Sequence, residues 1–289
     1  MLVKFADTDS DIDLELAHKY GLKLISMPYV FKGEEVFPYE TWDKFDAKKF
    51  YEELKTTLKL PSTSAISIEK YRQYFEPEFQ AGNDIFYVHF SKKMSGTFNA
   101  MRLAVNELLE KYPERKFYSL DTMGISATAR QVVEGVFGYL NEGHTVEETI
   151  AYGEEFKKHI ATYFFADDLK FFAKSGRVSG LAAALGGLFG IKPIIAITDE
   201  GKMVSVDKTK GKMNAIKYLV DKYAELAETP GEGNVHVISA GSDSLEEAIV
   251  QAMKAKYPNL TFTTYYLNPT AGCHAGPNTS GISFIAKHR

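Results

Sequence analysis

A chain of 289 residues with one cysteine, Cys273, has no partner for an internal disulfide. That excludes a disulfide-stapled scaffold and, with no second thiol, a cysteine-based structural zinc site. A strong excess of charge is also missing, since 34 Lys and Arg stand against 38 Asp and Glu, for a formal net charge of −4. Nothing in that balance favours nucleic acid or an anionic membrane surface as a partner. The longest weakly polar run, Leu181 to Ile197, is broken by Lys192-Pro193 and loosened by Gly186, Gly187 and Gly190. It is marginal against the ~20 residues a bilayer span needs, so no stable membrane insertion is expected. Near the start, Asp7, Asp9, Asp11 and Asp13 stand where a signal sequence would be basic and then apolar, and the expected location is cytoplasmic.

Two chemical signatures are absent as well. No Gly-x-x-x-x-Gly-Lys-Ser/Thr loop occurs, and no Gly-x-Ser-x-Gly elbow surrounds Ser95. Neither a nucleotide site nor ester hydrolysis has its usual marker, so no cofactor, metal or catalytic residue is assigned to this chain.

What is present is a 45% apolar chain long enough for two modest cores. Strand and helix patterns alternate up to about residue 160, which implies an α/β domain with a mostly parallel sheet over residues 1–160. Phe98, Met101, Ala104, Val105, Leu108, Leu109 and Tyr112 recur at the spacing of one buried helix face, and Phe117 to Asp121 reads as the next strand. Thr145-Val-Glu-Glu148 has the form of a capping box. Beyond residue 160, Ile191 to Thr198 and Met203 to Lys208 flank Asp199-Glu-Gly-Lys202 as a hairpin. Residues 161–289 are therefore expected to form an α+β domain.

The most informative junction is the apolar strand Asp84 to Ser91 followed by Ser95-Gly-Thr97 at the start of a helix. A helix start offers free amides to an anion, Gly96 permits close approach, and open α/β sheets place ligands at the carboxyl ends of their strands. A second hydroxyl-rich turn, Pro61-Ser-Thr-Ser64, lies upstream. Thr63, Ser64, Ser95, Gly96 and Thr97 together form a set of neutral donors suited to a small carboxylate. The plainer alternative for each turn is helix capping. His274 lies in Asn268-Pro-Thr-Ala-Gly-Cys-His-Ala-Gly-Pro-Asn278, read as a glycine and proline loop between strands, where it can serve as a donor to an anion. Arg177 and Lys208 are either surface charges or contacts for a phosphate or a partner's carboxylate.

Two enzymatic alternatives compete. Asp7-Thr-Asp9 after an apolar strand imitates a magnesium-dependent aspartyl phosphatase, with Asp167 and Asp168 as later acids. The same segment fails as a calcium loop, because Ile12 and His18 stand where glycine and glutamate are required. Ser95, His274 and Asp121 would make the third candidate, a serine hydrolase.

In the order Asp7-Thr8, Met27-Pro28, Thr63-Ser-Ala-Ile-Ser67, Ser91 with Ser95-Gly-Thr97, Asp121-Thr122, Ser175-Gly-Arg-Val-Ser179, Lys192-Pro193, Lys208-Thr209 and His274-Ala-Gly-Pro277, the chain resembles the DegV family of bacterial fatty-acid-binding proteins. The resemblance implies two domains gripping a long-chain fatty acid between them. It places the carboxylate on the Ser95 and Thr63 hydroxyls with His274 nearby, and a separate ATP-dependent fatty acid kinase as the partner that phosphorylates it. This sequence departs from the family pattern at Thr8 and Thr122 (serine in the family), Ser175 and Asn278 (glycine) and Lys208 (arginine). The head-group positions are retained. Lys208 keeps its charge but loses the bidentate fork of arginine.

Overall fold

The computed structural model describes residues 1–38, 46–180 and 190–289. Its strands in chain order are β1 (Leu2–Asp7), β2 (Leu22–Ile25), β3 (Tyr29–Phe31), β4 (Glu34–Val36), β5 (Ser62–Thr63), β6 (Asp84–His89) and β7 (Phe117–Asp121). These are followed by β8 (Ile160–Phe165), β9 (Val178–Ser179), β10 (Ile191–Ile197), β11 (Met203–Lys210), β12 (Asn234–Ser239), β13 (Thr261–Tyr266) and β14 (Ser280–Ile285). The described helices are α1 (Leu14–Tyr20), α2 (Ala47–Thr56), α3 (Ile68–Gln80), α4 (Thr97–Lys111) and α5 (Ala127–Asn141). Then come α6 (Val146–Phe156), α7 (Leu169–Ser175), α8 (Lys212–Leu226), α9 (Asp243–Lys256) and α10 (Pro269–Ala275).

The chain divides into two compact units, residues 1–45 with 63–157, and residues 46–62 with 158–289. In the first, four strands run parallel in the order β2-β1-β6-β7. Side chains alternate across a strand, and β6 shows the consequence. Tyr87 turns its ring to Phe75 of α3 at 6.2 Å, while its neighbour Phe86 meets Phe137 of α5 at 5.5 Å. Both faces of the sheet are therefore covered, which is why Ile85 to Phe90 read as an unbroken buried run. On the β7 side α6 approaches closely enough that a Cβ on Gly153 would lie 2.5 Å from Leu120 Cδ2. The capping box at Thr145 is present, with the Glu148 amide donating to Thr145 Oγ1 at 3.2 Å and the Thr145 amide to Glu148 Oε2 at 2.8 Å.

The second unit holds a mixed sheet in the order β13-β12-β14-β8-β10-β11-β9. The β10–β11 hairpin is antiparallel, closed by the Thr198 amide on the Lys202 carbonyl at 2.8 Å, with Gly201 at φ 75°. Helices α8 and α9 seal one face, where Leu219, Tyr223, Ile249 and Met253 pack on Val235, Val237, Ile282 and Phe284. Residues 46–62 belong here, so one boundary near residue 160 does not describe the division. The cause is Tyr51 on α2. Its hydroxyl donates to the Leu267 carbonyl at 2.8 Å, and its ring stands edge-on to Tyr266 at 6.0 Å and occupies the space a side chain at Gly272 would need.

The expected loop around His274 is in fact α10. Asn268 caps it by accepting from the Ala271 amide at 2.8 Å, Pro269 occupies its first turn, and Gly276 ends it at φ 72°. Proline at the start and glycine at the end of a helix are its ordinary boundary signals, so the same residues that suggested a loop delimit a short helix. None of the described helices is long and apolar enough to cross a membrane, and positions 181–189 of the weakly polar run lie outside the described residues.

Candidate functional site

In the first unit the chain leaves β1 toward β2 on one side and later extends from β6 to β7 on the other. The switch in direction falls between β1 and β6, where crevices form at the carboxyl ends of strands. Asp7 ends β1 at that point and is fully buried. Its Oδ2 accepts from the Tyr87 hydroxyl and the Phe90 amide, both at 2.9 Å, and its Oδ1 accepts from Ser10 at 3.2 Å. Burial pushes this carboxyl up to about 7 despite those donors. The Phe90 bond fixes where the chain leaves β6 and so where the Ser95 turn begins.

The two hydroxyl turns meet at this edge. The Ile66 amide donates to Thr97 Oγ1 at 3.1 Å, and the Tyr71 hydroxyl lies 3.1 Å from the same oxygen. Thr97 is buried, so its hydroxyl joins the two turns. Ser95 is half-buried, and its Oγ accepts from the Thr97 amide at 3.2 Å while keeping its proton to donate. Gly96 caps α4, is exposed, and has no atom within 4 Å of where a Cβ would stand. Thr63 is half-buried in β5, and the Ser64 hydroxyl donates to the Glu35 carboxylate. Ser95 and Gly96 thus offer donors at the start of α4, Thr63 lies half-buried on the adjoining turn, and Thr97 and Ser64 are engaged within the protein.

The second unit holds the remaining candidates. His274 is half-buried near the end of α10, and burial together with the nearby Arg177 and Lys174 cations lowers its pKa to about 4. It is neutral at pH 7, with a proton on one of its two ring nitrogens. Arg177 follows the Gly176 cap of α7 and is exposed, and Lys208 is exposed on β11. Strand register separates these two. β9 pairs Val178 with Met203, which puts Lys208 six positions along β11 from the level of Arg177, roughly 20 Å at the usual rise per residue. Arg177 shares its surroundings with His274, and Lys208 stands beside Pro193.

Neither enzymatic alternative gains support from the carboxylates. An attacking aspartate has to be accessible and ionised. Asp7 is neither exposed nor free of donors, and Asp9 is buried as well. Asp167 is ion-paired with Lys192 and Lys212, and Asp168 caps α7 through the Lys170 amide at 3.1 Å. Asp121 accepts from the Met123 amide at 2.7 Å and the Lys92 amide at 3.4 Å, so it orders the loops after β6 and β7.

Three contributors escaped the sequence reading. Tyr71 and Tyr87 sit in apolar patterns and look like core aromatics, yet their hydroxyls serve Thr97 and Asp7. His89, buried at the end of β6, bonds the Phe90 carbonyl through Nδ1 at 2.7 Å and packs its ring 4.4 Å from Phe98. Burial lowers its pKa, so it shapes the floor of the turn as a neutral ring. The one available signal was a histidine inside an otherwise apolar strand.

Comparison with known proteins agrees over the full length. A family model described as an uncharacterised protein of the DegV family matches residues 5–287. A DegV domain-containing protein of Clostridium perfringens is 30% identical over 240 residues, 82% of this chain and 81% of its own. A solved DegV family protein from Thermus thermophilus, described as binding fatty acid, superposes with a TM-score of 0.86 at 21% identity over 99% of both chains. The Fatty Acid Kinase (Fak) B3 protein of Streptococcus pneumoniae, loaded with linoleic acid, superposes with a TM-score of 0.81 at 16% identity, again over 99% of both chains.

Proposed function

Because this chain belongs to the DegV family, we propose that it binds a long-chain fatty acid and presents the carboxylate to a separate ATP-dependent kinase for acyl-phosphate formation. The carboxylate sits on Ser95, the Gly96 turn and Thr63 of the first unit. The observation that carries this reading is the bond from the Ile66 amide to Thr97 Oγ1, which draws the two hydroxyl turns together at the carboxyl edge of a parallel sheet. Hydroxyls and helix amides hold an anion without burying a full positive charge.

The energetics favour the tail as the source of affinity. Each buried methylene contributes about 0.8 kcal/mol, whereas a hydrogen bond to a charged group contributes about 1.5–3 kcal/mol. Affinity therefore follows chain length, and the head-group contacts fix orientation. The fold shared with a fatty-acid-loaded Fak B3 protein supports a role as the lipid-carrying subunit, with phosphoryl transfer in the partner. Arg177 and Lys208 are the contacts proposed for that partner or for the phosphate, and the cytoplasm is where such an exchange would run.

Native mass spectrometry of the protein purified from bacterial cells tests the reading. The expected result is an adduct in the fatty-acid mass range that is lost on denaturation. A protein that carries no acyl mass and takes up none from added stearate overturns it.

A further inference from the structure

The five hydroxyl and glycine positions at the edge of the first sheet are not equivalent. Thr97 is 1% exposed, and its oxygen is already met by the Ile66 amide and the Tyr71 hydroxyl, each at 3.1 Å. The Ile66 amide occupies one lone pair, the Tyr71 hydroxyl shares the oxygen as donor or acceptor, and the burial of Thr97 leaves almost no surface through which a ligand could reach it. Its neighbour Ser95 is half-buried with a proton to donate. Tyr71 is held rigidly: it is fully buried and stacks on Phe75 at 5.7 Å, which in turn stands edge-on to Phe5 at 5.4 Å and Phe117 at 5.1 Å. The aromatic core of the sheet therefore sets the position of the Tyr71 oxygen, that oxygen sets Thr97, and Thr97 sets Ile66.

We infer that Thr97 is a positioning residue: a Tyr71–Thr97–Ile66 clasp that holds the Thr63 turn at the distance from Ser95 at which both hydroxyls reach one carboxylate. The inference rests on the proposed fatty-acid reading and assigns Thr97 a role other than ligand contact. The clasp acts on the head group alone, because it controls the separation of donors and not the surface that meets the tail. Its loss lowers the preference for a carboxylate over an uncharged head group of equal chain length, and leaves the common tail contribution in place.

The test compares palmitate with hexadecanol on the full chain in wild type, Thr97→Val and Thr97→Ser, with amide exchange at Ile66 followed in ligand-free protein. Thr97→Val keeps the shape and removes the acceptor, and Thr97→Ser restores it. Selectivity for palmitate is expected to fall about tenfold in Thr97→Val, as for loss of one hydrogen bond to a charged group, and to return in Thr97→Ser. Exchange at Ile66 is expected to speed up in Thr97→Val only. Unchanged selectivity in Thr97→Val, or no recovery in Thr97→Ser, overturns the clasp. Lost selectivity with unaltered Ile66 exchange also overturns it, since Thr97 would then be a direct ligand contact. If Thr97→Val does not fold, Tyr71→Phe takes its place, where faster Ile66 exchange with reduced selectivity supports the clasp and wild-type behaviour in both overturns it. A wild-type protein that binds palmitate no better than hexadecanol overturns the carboxylate reading itself, a result separable from failure in the variants alone.

Discussion

Both units bury a titratable group beside their candidate residues, and burial acts on the two in opposite directions. In the first unit Asp7 is raised from 3.8 to about 7, and in the second His274 is lowered from 6.5 to about 4. Desolvation is the first cause in both and favours the neutral form of each. The architecture explains how each is enclosed. An all-parallel sheet covered on both faces leaves the end of β1 surrounded by Tyr87, Ser10 and the Phe90 amide. A short capped helix in a mixed-sheet unit sets His274 near two cations.

The largest effect should separate the units by pH. The folded state holds the Asp7 proton more tightly than the unfolded chain, so stability falls as pH rises from about 4 to about 7 and is level above, a loss of about 4 kcal/mol. Asp7→Asn removes that slope, and urea unfolding at pH 5 and pH 8 should show the variant gaining on wild type at the higher pH. A constant difference between the two would break the comparison.

His274 carries the opposite sign. Its folded pKa lies below the unfolded value, so its contribution is complete above pH 6.5 and is lost as pH falls toward 4, by at most about 3 kcal/mol and less where solvent screens it. An imidazole titration followed by NMR checks this, and a midpoint near 6.5 would remove the contrast. Between pH 4 and 6.5 the two slopes oppose each other, so wild type should be less pH-dependent there than either Asp7→Asn or His274→Gln.

Ligand binding sharpens the same contrast. Ser95→Ala and Thr63→Ala should each weaken fatty-acid binding about tenfold, the scale of one hydrogen bond to a charged group. Under the proposed function, Lys208→Gln in the second unit is expected to lower acyl-phosphate formation by the proposed kinase while leaving fatty-acid binding in place, read with both proteins present. The smallest effect is local to the first unit: Thr145→Ala removes a side-chain cap and should cost about 1 kcal/mol in thermal or urea unfolding.

Much of this molecule is legible along the chain because its causes are short-range. Ser67 caps α3 through the Lys70 amide at 3.1 Å, Thr145 and Glu148 close their box, and Phe117–Asp121 is a strand where the pattern places one. The parallel sheet follows from strand and helix alternation. The Ser95 and Thr63 turns were visible as hydroxyl clusters, but the division of labour within them was not. Thr97 and Ser95 look alike in sequence, and only the approach of Ile66 and Tyr71 distinguishes them. Tyr51 has the same character, since its partner at Leu267 is remote in the chain.

By itself the sequence determined the elements, their caps, the parallel character of the first sheet and the family to which the chain belongs. Tertiary structure alone decided that residues 46–62 join the second unit, that His274 lies on a helix, that Asp7 is buried near neutrality, and that Thr97 links two turns. Caps and periodicity depend on atoms a few residues apart, which any stretch of chain carries with it. Desolvation and long-range hydrogen bonds depend on which distant segments exclude water from a group, and those segments are assembled only in the folded molecule.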